Sequence, residues 1–387
     1  MPRALLDSIL VAAVMLALAL PGIDMLTGIV DDPEIDENRN LAAFPDLAAR
    51  KSSITAFPSA FEDWFSDHMG LRGTLVGAYR RVNQDLLDSD DSVLGGSDGW
   101  LYLLRDTVDY ADRLPLPADL CGRNPFTENE LDEWIEALAD NRRAVEALGA
   151  RYVLMIVPNK QSVHGEHLPG RIRCERGERR LDQLASRLEA LPGFPVLDLD
   201  RLFRQRAAAG VQLWHKTDTH WDSTGAMLGA RALVSRVEQT LGRALPDPFE
   251  LGRLALKPLE SSGWGLARML GPVSRHREQA TILDVVDARA ESAGNALPAF
   301  DRGAARQSER LVNYDEDLPT ALALHDSFFD KRFKTMLAES FSRVDFVWHR
   351  GEPLLERELE LVRELRPDVV IHEMVERNLL HPYFKDR

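Results

Sequence analysis

The sequence is poor in cysteine and in positive charge, and both shortages exclude classes of function. Its two cysteines, Cys121 and Cys174, are too few and too far apart for a finger-type zinc site. In an oxidising compartment they would form one disulfide, and otherwise they are two unrelated buried thiols. Because 47 lysines and arginines face 62 acidic residues, the net charge is -15, and we expect no nucleic acid partner.

Long apolar runs are also scarce, and the N-terminus holds the main one. The stretch Ile9–Val30 has 22 residues with one acid, Asp24, and is long enough to cross a hydrocarbon layer of about 30 Å. Arg3 precedes it and acids follow it, which predicts a cytoplasmic N-terminus and an exported body. Residues 1–30 are therefore predicted to be a transmembrane anchor or uncleaved signal, with the body on the periplasmic face of the inner membrane.

Two other interpretations of this N-terminal stretch stay open. The sequence Ala17-Leu18-Ala19 has the small-x-small pattern of a cleaved signal peptide. The stretch would also suit a buried helix of a cytosolic protein.

The rest of the chain divides into a linker and an α/β body. Residues 31–56 are acidic and punctuated by proline, as in an extended linker, and residues 57–127 are predicted to be a helical and turn region packed on the body. From 128 to 387, apolar strands alternate with amphipathic helices, which predicts a parallel sheet flanked by helices. Residues 242–313 break the alternation and are interpreted as an irregular insertion.

The predicted sheet places polar residues at the carboxyl ends of its strands, where sites form in α/β proteins. The predicted strands are Tyr152–Val157, Val196–Leu199, Thr320–Leu324, Val344–Trp348 and Val369–His372. Asn159 and Lys160 follow the first strand and Arg377 follows the last, and we interpret all three as substrate ligands. Lys160 has the alternative of a solvated loop lysine, and Arg377 that of an ion pair with Glu373.

Two short segments supply the residues of a nucleophilic site, Asp218-Thr219-His220-Trp221 and His325-Asp326-Ser327-Phe328. A serine becomes nucleophilic when an imidazole takes its proton and a carboxylate orients the imidazole. Ser327 is thus the candidate nucleophile, His220 the base and Asp218 the orienting acid. If a helix begins at Phe328, the serine stands at a helix N-terminus, where an oxyanion is stabilised. The alternative is an ordinary helix cap.

A metal site is a further alternative for the first of these segments. Oxygen and nitrogen ligands at the spacing of His215, Asp218, His220 and Asp222 would suit a divalent cation. No second helix or strand supplies obvious further ligands. We therefore expect neither a metal nor a cofactor.

Taken in order, the motifs after the anchor resemble those of the alginate O-acetyltransferase-like family of SGNH-hydrolase-like proteins. They are Glu37-Asn38-Arg39-Asn40-Leu41, Phe61-Glu62-Asp63-Trp64-Phe65, Gly95-Gly96-Ser97-Asp98-Gly99-Trp100, Val157-Pro158-Asn159-Lys160, Thr217-Asp218-Thr219-His220-Trp221, Gly263-Trp264-Gly265-Leu266-Ala267 and His325-Asp326-Ser327-Phe328. The resemblance covers nearly the whole chain after the anchor. The order acid, base, serine is also the permuted order of this family.

The resemblance implies an SGNH-like fold and an exported, anchored enzyme that moves acetyl groups onto an extracellular polysaccharide. It implies Ser327, His220 and Asp218 as the catalytic triad, and a membrane-bound O-acyltransferase as the partner that provides the acetyl group. Two positions depart from the family pattern. His325 replaces a small residue, and Gly263-Trp264-Gly265-Leu266-Ala267 stands where the family has Gly-Asp-Leu-Ala.

Two other functions stay open on the sequence. A carbohydrate esterase would use the same triad with water as the acceptor. A non-catalytic component of a secretion assembly would bind polysaccharide without the triad. The acidic net charge favours a neutral or aminated glycan over a polyuronate.

Overall fold

The fold is described from a computed structural model. It describes residues 3–30, 32, 41–45, 57–87, 92–104, 119–170, 172, 174–175, 177–247, 254–261, 263–270, 276–294 and 308–381. Most of the predicted linker at 31–56 lies outside these residues.

The N-terminal part contains three helices and a hairpin. The helices are α1 (Arg3–Thr27), α2 (Phe57–His68) and α3 (Arg72–Leu87), and the hairpin strands are β1 (Val93–Gly95) and β2 (Leu101–Leu103).

The α/β body follows with alternating helices and strands. These are α4 (Glu128–Ala147), β3 (Arg151–Val157), α5 (Lys160–Val163), α6 (Arg180–Glu189), β4 (Val196–Asp198), α7 (Asp200–Ala208), α8 (Ser223–Leu241), β5 (Leu254–Ser261), α9 (Gly265–Met269), β6 (Glu278–Val285), β7 (Glu291–Ser292), β8 (Glu309–Val312), β9 (Thr320–His325), α10 (Lys331–Ala338), β10 (Arg343–Trp348), α11 (Glu356–Leu365) and β11 (Val369–Val375).

The central sheet has seven strands in the order β4-β3-β11-β9-β10-β8-β7. Its first five strands are mutually parallel, which confirms the five predicted strands as one parallel unit. Strands β8 and β7 extend the sheet with antiparallel pairing, so the sheet is mixed rather than wholly parallel.

Helices cover both faces of the sheet, because alternate side chains of each strand point to opposite faces. On β3, Val153 and Met155 join a buried cluster with α8 and α10, whereas Tyr152 and Leu154 join a second cluster with α4, α6 and α11. The near-continuous apolar sequence of β3 is what burial on both faces requires. This is the SGNH-like α/β fold that the motifs predict.

The predicted insertion at 242–313 contains regular structure among its described residues. Strands β5 and β6 form an antiparallel hairpin, and α9 lies between them in the chain. The last described part of the insertion supplies β7 and β8 to the central sheet. The segment interrupts the β/α alternation of the body, as predicted for the insertion, and it contributes two strands to the central sheet.

The two cysteines form a disulfide. Cys121 and Cys174 lie 5.8 Å apart at their Cα atoms, within the range that such a bond allows. The structure thus has the disulfide rather than two unrelated thiols. The bond links residues 119–122 to the segment before α6.

The predicted packing of residues 57–127 on the body holds for only part of that region. The hairpin β1–β2 places Val93, Trp100 and Tyr102 in the buried clusters. The described side chains of α2 and α3 enter none of these clusters, and Phe61 and Tyr79 are exposed.

Helix α1 is the one described helix long and apolar enough to cross a membrane. Its most apolar window runs from Leu10 to Thr27, with a mean hydropathy of 2.0. By length and composition it suits the predicted anchor.

Candidate active site

Asp218, His220 and Ser327 form a hydrogen-bonded chain at the carboxyl edge of the sheet. Nδ1 of His220 lies 2.7 Å from Oδ1 of Asp218, and Nε2 lies 2.7 Å from Oγ of Ser327. With Nδ1 protonated toward the carboxylate, Nε2 is the acceptor for the serine proton. The His220 side chain is 33% exposed, so the hydrogen-bonded chain is partly open to solvent. The structure therefore brings together the three residues that the sequence proposes.

Asp218 and His220 share a closed loop between α7 and α8. Trp214 and Trp221 pair across the base of this loop, and the N–H of Asp222 donates to the carbonyl of Leu213 at 2.9 Å. Asp222 then caps α8 by accepting from the amides of Thr224 and Gly225. Because both ends of the loop are fixed, Asp218 and His220 keep a geometry in which the Asp218 carboxylate contacts the imidazole two residues later.

Ser327 does not stand at a helix N-terminus. It lies in a turn after β9, and α10 begins only at Lys331 with Asp330 as its N-cap, which accepts from the N–H of Phe333 at 2.8 Å. The predicted helix start at Phe328 is thus wrong, and so is the alternative that Asp326-Ser327 caps that helix. Asp330, a residue of the same capping type, occupies that role.

The backbone N–H groups of this turn differ in their hydrogen bonding, and the N–H of Ser327 is the exception. The N–H of Asp326 donates to Glu373, that of Phe328 to the Asp326 carboxylate and that of Phe329 to the Asp326 carbonyl. Within the described residues, the N–H of Ser327 has no such partner. An amide on the nucleophile itself is well placed to donate to an oxyanion.

Asp218 is held as a carboxylate by its surroundings. Burial opposes its charge, but the hydrogen bond and charge of His220 and the amide of Gly265 bring the pKa of Asp218 below its usual range. The N–H of Gly265 donates to Oδ2 at 3.0 Å, and a Cβ at this position would lie 3.3 Å from the same oxygen. The segment that departs from the Gly-Asp-Leu-Ala pattern therefore supports the catalytic acid through a backbone amide.

A second group from the insertion orders the loop. The Glu278 carboxylate on β6 accepts from the amides of Lys216 and Thr217 and from the Thr217 hydroxyl, at 2.8 to 2.9 Å. The carbonyl of Thr217 in turn accepts from the amide of Leu266 at 3.0 Å. No sequence signal marks Glu278, because it lies about sixty residues from its partners in a segment without recognisable periodicity.

Lys160 supports the same loop, and the substrate-binding role predicted for it does not fit its position. The side chain is buried, and Nζ donates to the carbonyls of Leu101, His215, Lys216 and Asp218 at 2.6 to 3.0 Å. Burial lowers the pKa of Lys160 to about 7, and the carboxylates of Asp218 and Glu278 act in the opposite direction. An ammonium with four backbone acceptors has no donor left for a substrate.

Asn159 and Arg377, the other two predicted substrate ligands, lie at neighbouring strand ends. Asn159 is buried, and its N–H donates to Glu376 at 2.6 Å. The Arg377 guanidinium lies 5.6 Å from the ring centroid of Phe328, which lies 5.0 Å from that of His220. Arg377 therefore stands beside the triad, and Asn159 is held deeper at the same edge.

A buried ion pair stabilises the carboxyl edge of the sheet near β11. The sequence-based predictions do not include it. Arg179 donates to Glu376 at 2.6 Å, and both side chains are fully buried. Glu376 also accepts from the Ser162 hydroxyl at 2.7 Å. The pair joins the end of β11 to the segment that the disulfide anchors, and it sits one residue before Arg377.

Glu373 and Asp326 are two buried acids in contact at the start of the turn that carries Ser327. Oε2 of Glu373 accepts from the N–H of Asp326 at 2.8 Å. Burial raises the pKa of Glu373 well above its usual range, and the neighbouring Asp326 adds to the rise. The raised pKa favours the protonated form of Glu373, and its Oε2 holds the start of the Ser327 turn through the Asp326 amide.

His325, the first departure from the family pattern, lies under this turn. Its ring stacks on Phe329, and Nδ1 donates to the Asp326 carbonyl at 2.6 Å. Burial lowers the pKa of His325 to about 3, with the Lys334 charge adding to the effect. The side chain is thus a neutral packing residue of the turn.

The side chains of the alternative metal cluster have separate partners. His215 packs on Trp264 with ring centroids 3.9 Å apart, and its Nδ1 faces Glu278 at 3.5 Å. Asp222 caps α8, while Asp218 and His220 bind each other. Among the residues that the structure describes, no group of three or more histidines, cysteines or acids is arranged to hold a metal ion.

The sequence matches a known protein family. A family model for the SGNH hydrolase-like domain of acetyltransferase AlgX matches residues 93–299, more than half of the chain. The chain belongs to this family. The matched range includes Asp218 and His220 and ends before Ser327, and it confirms the resemblance to alginate O-acetyltransferase-like proteins. No curated protein gives a significant match to the sequence.

Solved structures of three proteins resemble the AlgX-family chain. PatB1 of Bacillus cereus, solved with a sulfonyl adduct, is 16% identical with a TM-score of 0.50, over 76% of this chain and 99% of its own. The O-acetyltransferase domain of Pseudomonas putida AlgJ is 20% identical (TM-score 0.48; 75% and 92%). Pseudomonas aeruginosa AlgX is 15% identical (TM-score 0.45; 74% and 65%). At these identities the likeness to PatB1 shows the fold.

Proposed function

We propose that this AlgX-family protein transfers acetyl groups to an exported polysaccharide through an acetyl-enzyme on Ser327. The observation that supports it most is the pair of 2.7 Å contacts from His220, one to the Asp218 carboxylate and one to the Ser327 hydroxyl. The chain belongs to an acetyltransferase family, which favours acetyl as the transferred group. The His220 side chain is 33% exposed, which leaves room for an acceptor to approach it.

In the first step, Oγ of Ser327 attacks the carbonyl carbon of the acetyl donor while Nε2 of His220 takes the hydroxyl proton. The Asp218 carboxylate stabilises the imidazolium that forms. The N–H of Ser327 donates to the oxyanion of the tetrahedral intermediate. The bond to the leaving group then breaks, and His220 gives that group its proton.

In the second step, a glycan hydroxyl attacks the acetyl carbon as His220 removes its proton. The bond between the acetyl carbon and Oγ of Ser327 breaks, and the proton returns from Nε2 to the serine oxygen. The acetyl group ends on the glycan and the enzyme is restored. With water in place of the glycan, the same step releases acetate, and the 33% exposure of the imidazole makes this hydrolysis a competing outcome.

The acceptor would meet the site beside Phe328 and Arg377. The Arg377 guanidinium lies over the Phe328 ring, and we assign it to the acceptor because a planar guanidinium suits the recognition of sugar hydroxyls or carboxylates. Asn159, at the neighbouring strand end, is the second ligand that we assign to the acceptor. Lys160 is no longer assigned such a role, because its ammonium is occupied by the loop that carries the acid and the base.

The compartment and partners follow from α1 and from the family resemblance. With α1 as a single anchor in the inner membrane, the body lies on the periplasmic face, where a disulfide is stable. A membrane-bound O-acyltransferase would present the acetyl group at the same surface. The acceptor is a polysaccharide in export.

The function is tested by following the fate of the acetyl group from a chromogenic acetyl ester, with and without added oligosaccharide. We expect ester turnover, with part of the acetyl group on the sugar when sugar is present. Ser327→Ala should lose turnover, whereas Ser97→Ala, at an exposed serine on the β1–β2 hairpin, should keep it.

Three outcomes would argue against the proposal. Acetate release alone, whatever acceptor is supplied, would favour the esterase. Glycan binding without any turnover would favour the non-catalytic component. Equal turnover of Ser327→Ala and the parent protein would exclude Ser327 as the nucleophile.

A further inference from the structure

The helix α2 carries an aromatic surface that the α/β body does not use. We define it by Phe44, Phe57, Phe61, Trp64 and Phe65, whose rings contact one another with centroids 4.8 to 6.3 Å apart. Phe44 is 55% exposed, Phe61 38% and Phe65 40%. A contiguous exposed aromatic surface on a soluble part of a protein marks an interaction site.

The surface is one face of an amphipathic helix. Phe57, Phe61, Trp64 and Phe65 follow the i, i+4, i+7, i+8 spacing, which places them on one stripe of α2. Glu62 and Asp63 lie toward the opposite side of the helix, whereas the buried Asp67 lies beside the stripe. Phe44 completes the stripe from the segment 41–45, which is held on α2 because the N–H of Ala42 donates to Asp67 at 2.8 Å.

A turn attaches this surface to the end of the apolar helix α1. The turn follows α2 directly, and the N–H of Leu71 donates to Asp24 of α1 at 3.2 Å. Gly70 approaches α1 so closely that a Cβ there would lie 2.4 Å from the backbone nitrogen of Met25. Asp24 also accepts from the N–H of Val30 at 2.9 Å, which fixes the chain where it leaves α1.

The attachment point lies at the depth of a membrane interface if α1 crosses the bilayer. The apolar window Leu10–Thr27 has 18 residues, which at 1.5 Å per residue span about 27 Å, close to the thickness of the hydrocarbon layer. Met25 is two residues from the end of this window. The turn at Gly70 and Leu71 therefore lies near the boundary between acyl chains and headgroups. Trp64 and Phe65 lie in the C-terminal half of α2, just before this turn.

We propose that the aromatic surface of α2 lies in the headgroup boundary of the membrane that α1 crosses, so that the chain has an anchor and an interfacial helix. Tryptophan is enriched at this depth, and interfacial helices carry tryptophan, phenylalanine and leucine on the face that enters the membrane. The interaction is apolar rather than electrostatic, because α2 has three acids and no lysine or arginine. This inference rests on the anchor proposed for α1 and is independent of the acetyl transfer chemistry.

The test uses the full chain in phosphatidylcholine vesicles that contain lipids brominated either near the headgroup or near the chain end. Bromine near the headgroup should quench tryptophan emission, and Trp64→Phe should lose that quenching. Trp348→Phe, a matched change on the body at a partly exposed residue of β10, should keep it. Flotation of the protein with the vesicles reports on the anchor separately, and ester turnover should be the same in Trp64→Phe as in the parent.

Two results would overturn the inference. If the protein floats but Trp64→Phe is quenched as strongly as the parent, the surface does not lie in the membrane. If Trp64 emission responds to added polysaccharide or to a partner protein and not to brominated lipid, the surface is a docking site for that molecule instead.

Discussion

Replacing Lys160 with methionine should destabilise the protein and slow acetyl transfer without weakening substrate binding. The change keeps the length of the side chain and removes the ammonium that donates to four backbone carbonyls. Three of these carbonyls belong to the loop that carries Asp218 and His220, and the fourth belongs to β2. The hairpin β1–β2 and the catalytic loop would therefore lose their common donor.

The magnitude follows from the burial of these groups. A buried acceptor left without a donor costs about 1–3 kcal/mol, and Lys216 keeps the N–H of Leu101 at 2.8 Å as a second donor. Because the partners of Nζ are neutral carbonyls and no charge is left unpaired, we expect Lys160→Met to lose about 1–3 kcal/mol for each carbonyl that finds no new donor. A displacement of the loop by about 1 Å would lower kcat about 100-fold.

The dependence on pH gives a second signature of the same residue. The folded-state pKa of Lys160 is about 7 against an ordinary 10.5, so the unfolded chain binds more protons over that window. The stability that Lys160 contributes should therefore rise with pH between 7 and 10.5, by at most about 1.4 kcal/mol per pH unit. Lys160→Met should lack this contribution.

The assays are urea unfolding across that pH range and ester kinetics below the unfolding transition. Lys216→Met is the matched control, because its exposed ammonium donates only to the carbonyl of Asp98, and it should change stability by less than about 0.5 kcal/mol. A Lys160→Met variant of unchanged stability with a raised KM would refute the structural role and restore the predicted role in substrate binding.

Three further changes test other parts of the site. Asp218→Asn should lower kcat about 10⁴-fold at nearly unchanged stability, because the orienting carboxylate is lost; a loss below about tenfold in ester kinetics would contradict this role. Glu373→Gln should keep turnover. Because burial raises the pKa of Glu373 in the folded state, the stability of this variant relative to the parent should increase as pH rises above 4.5. Urea unfolding with the same pH dependence in both proteins would contradict a raised pKa of Glu373. Cys121→Ser combined with Cys174→Ser should cost about 4 kcal/mol for a separation of 53 residues, measured by thermal unfolding, with kcat retained at low temperature; loss of kcat in the folded variant would show that the disulfide also positions the site.

The parts of the fold that the sequence predicts are those with a strong local signal. Strands β3 and β11 are buried on both faces, so their apolar runs are unmistakable. Helix α8 has clear end signals in the sequence, because Asp222 caps it and Gly242 ends it in a left-handed conformation. The position of Ser327 follows from the same pattern, since it comes directly after a strand of the parallel sheet, whereas Asp218 and His220 are marked by their motif and lie in the loop before α8.

The errors arise where two residues offer the same local chemistry or where partners are distant in sequence. Asp326 and Asp330 are both suitable N-caps, and only tertiary packing selects the second. Strand β8 is short and half polar, so its alternation is too weak to predict an edge strand. Gly265 supports Asp218 through its backbone N–H, and Lys160 donates to the backbone carbonyl of Asp218, so in each contact one partner is a backbone group with no side-chain signature in the sequence.

The most direct test of the acetyl-Ser327 intermediate is to trap it. The protein, mixed briefly with an activated acetyl ester and quenched in acid, should gain the mass of one acetyl group on the peptide that contains Ser327. His220→Ala should gain none in the same time, because no base takes the serine proton. An acetyl group found on another residue, or turnover without any acetylated protein, would contradict the proposed mechanism.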